Sequence, residues 1–148
     1  MASKPKEVEV KSEDETKKEV SPLTDEEKLE IFDELMFEGS YTETVRLSPR
    51  VTVVFTTRTA DDYVAISKTM ETLAPGTNAL ADQYLSLLHL SYALVNFRGQ
   101  DLSQVTPYPG RYEVLKTIPA SLVDAIQKKL NLFDKKVQEA VDFSSENF

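Results

Sequence analysis

The chain contains no cysteine. That excludes a disulfide scaffold, a thiolate nucleophile and any zinc or iron–sulfur centre held by thiolates. It leaves the redox compartment open. There is one histidine, His89, with no Asp, Glu or second His four residues to either side. Metal ligation there would need ligands converging from elsewhere, because metal sites hold several donors. The glycines Gly39, Gly76, Gly99 and Gly110 stand alone, so no phosphate-cradling loop or dinucleotide fingerprint exists. Long apolar runs are also missing. The most apolar stretch, Leu80 to Phe97, is broken by Asp82, Gln83, Ser86, His89, Ser91 and Asn96. It is too short and too polar to span a membrane. The first twenty residues lack the apolar centre of a signal peptide. A basic excess is missing too. With 17 basic and 25 acidic residues the net charge is −8, which disfavours nucleic acid and anionic lipid.

What remains is a chain of 148 residues with 41% hydrophobic side chains, enough for one domain with a real core. Residues 1–22 hold few large apolar groups, and Val8, Val10 and Val20 are isolated among charges. Such composition does not offset the entropy of ordering a backbone, so a flexible charged arm is expected there. A single domain is expected over 23–143, followed by a short tail, 144–148.

A first helix should follow Thr24, which with Glu27 fits a capping box. Asp25 and Glu26 suit the positive helix end. Leu29, Phe32 and Met36 form its stripe, widened by Ile31 and Leu35, and Glu38-Gly39-Ser40 ends it. Alternation predicts strands over 43–47 and 51–56, paired as a hairpin around Ser48-Pro49-Arg50. A lone hairpin is marginal in water and must pack on helices or on a partner. Thr59 and Asp62 predict the cap of a second helix, Ala60 to Leu73, stopped by Pro75-Gly76. A central third helix is expected from Ala79 to Phe97, with Arg98-Gly99-Gln100 as its exit. A loop over 101–110 and a short helix over 111–117 follow. Pro119 opens a last helix to Phe143, with Leu122, Ile126, Leu130, Phe133, Val137 and Val141 as its stripe. That helix is long for so small a protein, so its far end is a place for a neighbour to dock. The fold class is therefore α+β, mainly helical: a small two-stranded hairpin packed on four or five helices.

No catalytic constellation emerges. Ser86, His89 and an acid can be written as a triad, but no nucleophile elbow surrounds them. Asp61-Asp62 reads as compensation of a helix dipole. Arg46, Arg50, Arg58, Arg98 and Arg111 form no basic run, and exposed salt bridges account for them, Arg58 beside Asp61 and Asp62. Tyr41, Tyr108 and Tyr112 lie on or near loops, where tyrosine serves interfaces or ordinary packing. Phe143 and Phe148 bracket the acidic end DFSSENF, which reads equally as a docking peptide or a frayed end.

Three segments carry a resemblance: GSYTETVRLSPRVTVVFTTRTADDY, SLLHLSYALVNFRGQDL and RYEVLKTIPASLVDAIQKKLNLFDKKV. In this order they resemble a group of tailed-bacteriophage tail and baseplate assembly proteins, the tail or baseplate-hub assembly chaperones. The resemblance covers roughly Gly39 to Val137. It implies a protein without chemistry or cofactor that holds a tail, hub or tape-measure component ready for assembly in the host cytoplasm. No catalytic or metal-binding residue is implied. The expected contact residues are Tyr41, Val45, Leu47, Val53, Phe55, Tyr92, Phe97, Tyr108, Tyr112, Phe133, Val137 and Phe143. A permanent minor component of the virion is the first alternative, and a small nucleic-acid-associated adaptor the second. A homo-oligomer is a further contact to consider, and no membrane is expected.

Overall fold

The computed structural model describes residues 23–73 and 80–147. The expected N-terminal arm, the helix stop at Pro75-Gly76, the helix start at Ala79 and the terminal Phe148 lie outside the described residues.

Helix α1, Asp25–Glu38, begins with the capping box. The Glu27 N–H donates to Thr24 Oγ1 and the Thr24 N–H donates to Glu27 Oε1, both at 3.1 Å. Hydrogen bonding of the carboxylate by the Thr24 N–H first, and by the Thr24 side chain second, holds the Glu27 pKa below its ordinary value. Gly39, at φ 81°, closes the helix by donating to the Leu35 carbonyl. Strands β1 (Thr42–Ser48) and β2 (Val51–Thr56) pair antiparallel as the alternation requires. Ser48 Oγ accepts from the N–H groups of Arg50 and Val51 and fixes the turn. Helix α2, Ala60–Leu73, has its own reciprocal cap between Thr59 and Asp62.

The expected two-stranded hairpin is corrected: it is only half of a larger sheet. Helix α3, Ala81–Ala93, stops four residues short of Phe97, and its chain passes at once into strand β3, Leu94–Phe97. β3 pairs antiparallel with β2, and a two-residue strand β4, Gln100–Asp101, pairs with β3. The result is a four-stranded antiparallel sheet in the order β1-β2-β3-β4. Two physical reasons favour it over a longer helix. Val53 and Phe55 are fully buried, so the second edge of β2 needs hydrogen-bond partners that a helix cannot supply. Arg98 (φ 55°) and Gly99 (φ 74°) form a two-residue turn with both φ positive, the geometry that tight hairpins prefer.

After β4 the chain makes a wide turn over Pro107–Arg111, then helix α4, Tyr112–Lys116. Helix α5, Ala120–Glu146, closes the fold, with the Pro119 carbonyl accepting from Leu122 and Val123. Its inner line is Ile126, Leu130, Phe133, Ala140 and Ser144. α1 lies along it, and Lys28 Nζ sits 4.9 Å from the Phe143 ring centroid. The far end of α5 is thus covered by α1. The main core joins Val53, Phe55, Leu90, Leu94, Phe97, Leu115, Ile126, Leu130 and Phe133. A smaller one, Ile66, Leu88 and Tyr112, seats α2 on α3 and α4. Burial of these side chains is the main source of stability.

Candidate interaction surface

The residues expected to contact a partner divide by depth. Val53, Phe55, Phe97, Tyr112 and Phe133 are buried at 3% exposure or less. Phe55 and Phe133 face one another with ring centroids 5.7 Å apart. These five form the packed layer beneath the surface. Tyr41, Val45, Leu47, Tyr92, Tyr108, Val137 and Phe143 are half-buried and keep part of their surface outside. Tyr41 stacks on Phe133 at 5.9 Å, and its hydroxyl donates to Glu43 Oε1 at 2.6 Å. Burial and the Glu43 carboxylate push the Tyr41 phenol well above its usual range. Lys136 Nζ donates to both Glu43 oxygens, at 2.8 and 3.0 Å, which ties β1 to α5. Tyr108 meets Tyr112 edge-on at 5.1 Å.

The largest exposed apolar groups lie elsewhere. Phe37 is 83% exposed and Met36 65%, side by side in the last turn of α1. Val64, Tyr63, Leu80, Leu132 and Leu85 follow on the outer sides of α2, α3 and α5. The expected stripe of α1 put Met36 inward. Instead Ile31 is its buried residue, and the helix turns Met36 out. Phe37 drew no attention in the sequence because it falls off the helical stripe. An aromatic off the stripe at a helix end was the available signal.

Two arginines have roles that the sequence hid. Arg58 pairs with Asp134 of α5, not with its neighbours Asp61 and Asp62. Its side chain is 5% exposed, and its buried Nε and Nη1 have no hydrogen-bond partner among the described residues. The guanidinium lies 6.0 Å from the Tyr63 ring, which in turn lies 5.3 Å from His89. Burial first, then the Arg58 charge, lowers the His89 pKa, with Asp134 opposing. No serine is hydrogen-bonded to His89 among the described residues, and Ser86 is exposed. Arg111 is buried, and among the described residues no carboxylate forms a salt bridge with it. Its Nε donates to the carbonyls of Leu102 and Val105, both at 2.9 Å. Its Nη1 donates to Ser91 at 3.1 Å and, at longer range, to Tyr92. Its Nη2 reaches Ser103. The guanidinium therefore caps the carbonyl end of α3 and gathers the loop after β4 around one charge.

Among the described residues, no group of three or more histidines and carboxylates is placed to hold a metal ion. No helix among them is long and apolar enough to cross a membrane. No family model, no curated protein and no solved structure matches this chain.

Proposed function

We propose that this chain is a non-catalytic partner-binding protein that assists assembly of a bacteriophage tail or baseplate, chaperoning a tail, hub or tape-measure component in the host cytoplasm. The observation that carries the partner-binding part is the Met36–Phe37 pair. Burying two such side chains on a partner is worth roughly 1.5–3 kcal/mol each, and large apolar groups left outside mark interaction sites. The pair lies directly before Tyr41, Val45 and Leu47 along the chain, so the end of α1 and the start of the sheet supply one run of contact residues. The phage assignment draws its support from the three resembling segments. A permanent place in the virion is the second reading of the same surface. An adaptor for nucleic acid draws only on Arg46 and Arg50, both exposed at the hairpin.

Tagged protein, wild type or carrying Met36→Glu and Phe37→Glu together, is used to capture complexes from infected cells, and purified particles are analysed by mass spectrometry in parallel. A tail or hub protein captured by the wild type, reduced at least about tenfold by the double variant, and absence of the chain from particles is the expected result. A fixed copy number in particles moves the protein into the virion. Capture of no phage structural protein in either sample overturns the assignment.

A further inference from the structure

The outward face of α1 is acidic and apolar at once. Glu30, Asp33 and Phe37, spaced three and four, share one line along the helix, with Glu34 beside them and Met36 on the flank. All five side chains are exposed. The one base of α1, Lys28, is turned away to the Phe143 ring. Among the described residues none of these carboxylates forms a salt bridge. A second face has the opposite sign. On α5, Lys128, Leu132 and Lys135, spaced four and three, also share one line, and all three are exposed. No acid stands between Ala125 and Phe133, and Asp134 is held by Arg58. Neither Lys128 nor Lys135 forms a salt bridge among the described residues.

We propose that these two faces meet across a two-fold axis, so that the free protein is a dimer in which α1 of each copy lies on α5 of the other. The faces complement one another in kind, acids with Phe37 on one and lysines with Leu132 on the other. With Phe37 set against Leu132, the acids one turn back fall beside a lysine whichever way α1 runs, because Lys128 and Lys135 flank Leu132 on both sides. Their places within one molecule favour reciprocal pairing. α1 lies along α5, and Tyr41, four residues beyond Phe37, stacks on Phe133, next to Leu132. The two faces therefore adjoin at one level of the molecule, about one helix spacing of 8–10 Å apart. A surface that carries both complements side by side is matched by a copy of itself turned through half a circle, and the contact closes at two. Pairing of like faces is disfavoured, since α1 on α1 would set acid against acid. The net charge of −8 opposes association at long range, so the close ion pairs and the apolar contact carry it. Met36 and Phe37 also carry the proposed partner contact, so a partner must displace the second copy to reach them.

Sedimentation equilibrium of the full chain over a concentration series tests this. The wild type is expected to move from the mass of one chain to that of two and no further. Asp33→Lys with Glu34→Lys, and separately Lys128→Glu with Lys135→Glu, should each weaken the dimer at least about tenfold. Leu132→Ser should weaken it as well. Mixing the two charge variants should restore a dimer with one chain of each, because both of its contacts then pair opposite charges. The substituted side chains are all exposed, and a restored mixture also shows that both variants have kept their fold. A wild type that stays monomeric up to about 1 mM overturns the proposal and leaves the acidic face to a basic segment of a foreign partner. A dimer that neither charge variant weakens, a mixture that restores nothing, or assembly beyond two chains overturns it as well. None of these outcomes depends on the phage assignment, which stands or falls by capture.

Discussion

Replacing Arg111 by Met keeps most of the apolar stem and removes the charge and every donor. Three of its hydrogen bonds are 3.1 Å or shorter, to Leu102, Val105 and Ser91. The other two are 3.4 Å and longer and count for little. Bonds from a charged donor are each worth about 1.5–3 kcal/mol, but Nε shares one hydrogen between two carbonyls. Burial of the charge itself works against the native state, and it lowers the Arg111 pKa. Weighing two effective bonds against that offset gives a loss of about 3–4 kcal/mol, with the carbonyls at the end of α3 left buried and unpaired. Urea unfolding followed by circular dichroism measures it, as a drop in midpoint at unchanged slope. Arg111→Lys is the second arm. A lysine keeps the charge but cannot reach the two ends of the loop with one planar fork, so it should recover less than about half of the loss. A loss below about 1 kcal/mol for Arg111→Met, or full recovery with Lys, would refute the argument that this guanidinium organises the loop.

Two further perturbations test other parts of the fold. A Cβ on Gly110 would meet Val105 Cγ1 at 2.7 Å and Thr106 Oγ1 at 2.9 Å, so Gly110→Ala should destabilise by about 1–3 kcal/mol, read from the thermal midpoint. His89 has its pKa lowered in the folded state, from an ordinary 6.5. Above pH 6.5 both folded and unfolded states hold it neutral and it contributes no slope. As the pH falls through 6.5 the unfolded chain takes up the proton first, and stability drops until the folded value is passed. His89→Gln should flatten the stability profile just below pH 6.5, and an unchanged profile in urea titrations would contradict the burial of this ring.

The helices were legible because their ends carry their own signals. Thr24 with Glu27 and Thr59 with Asp62 make the capping bonds that the residue types promise. The hairpin was legible from alternation in Thr42 to Thr56. The second half of the sheet was not. Leu94-Val95-Asn96-Phe97 continues an apolar run that suits a helix and a strand equally. Gly99 at positive φ serves a helix exit and a hairpin turn alike. Only the need of β2 for a partner on its second edge decides between them, and that need is tertiary. The expected contact residues show the same limit. Periodicity ranks side chains by how apolar they are, not by whether another helix covers them, so it marked Phe55 and Phe133 and passed over Phe37. Arg58 and Arg111 were unreadable because their partners lie in distant parts of the chain or on backbone carbonyls.

The pairing of Phe55 with Phe133 has a consequence in time. During synthesis the hairpin is made 78 residues before its partner ring. At roughly 5–20 residues per second, the inner face of β2 waits for about 4–15 s with no α5 to meet it. A nascent chain halted anywhere before Phe133 carries Val53 and Phe55 without that cover. The last helix therefore sets the moment at which the inner face of β2 is finally covered.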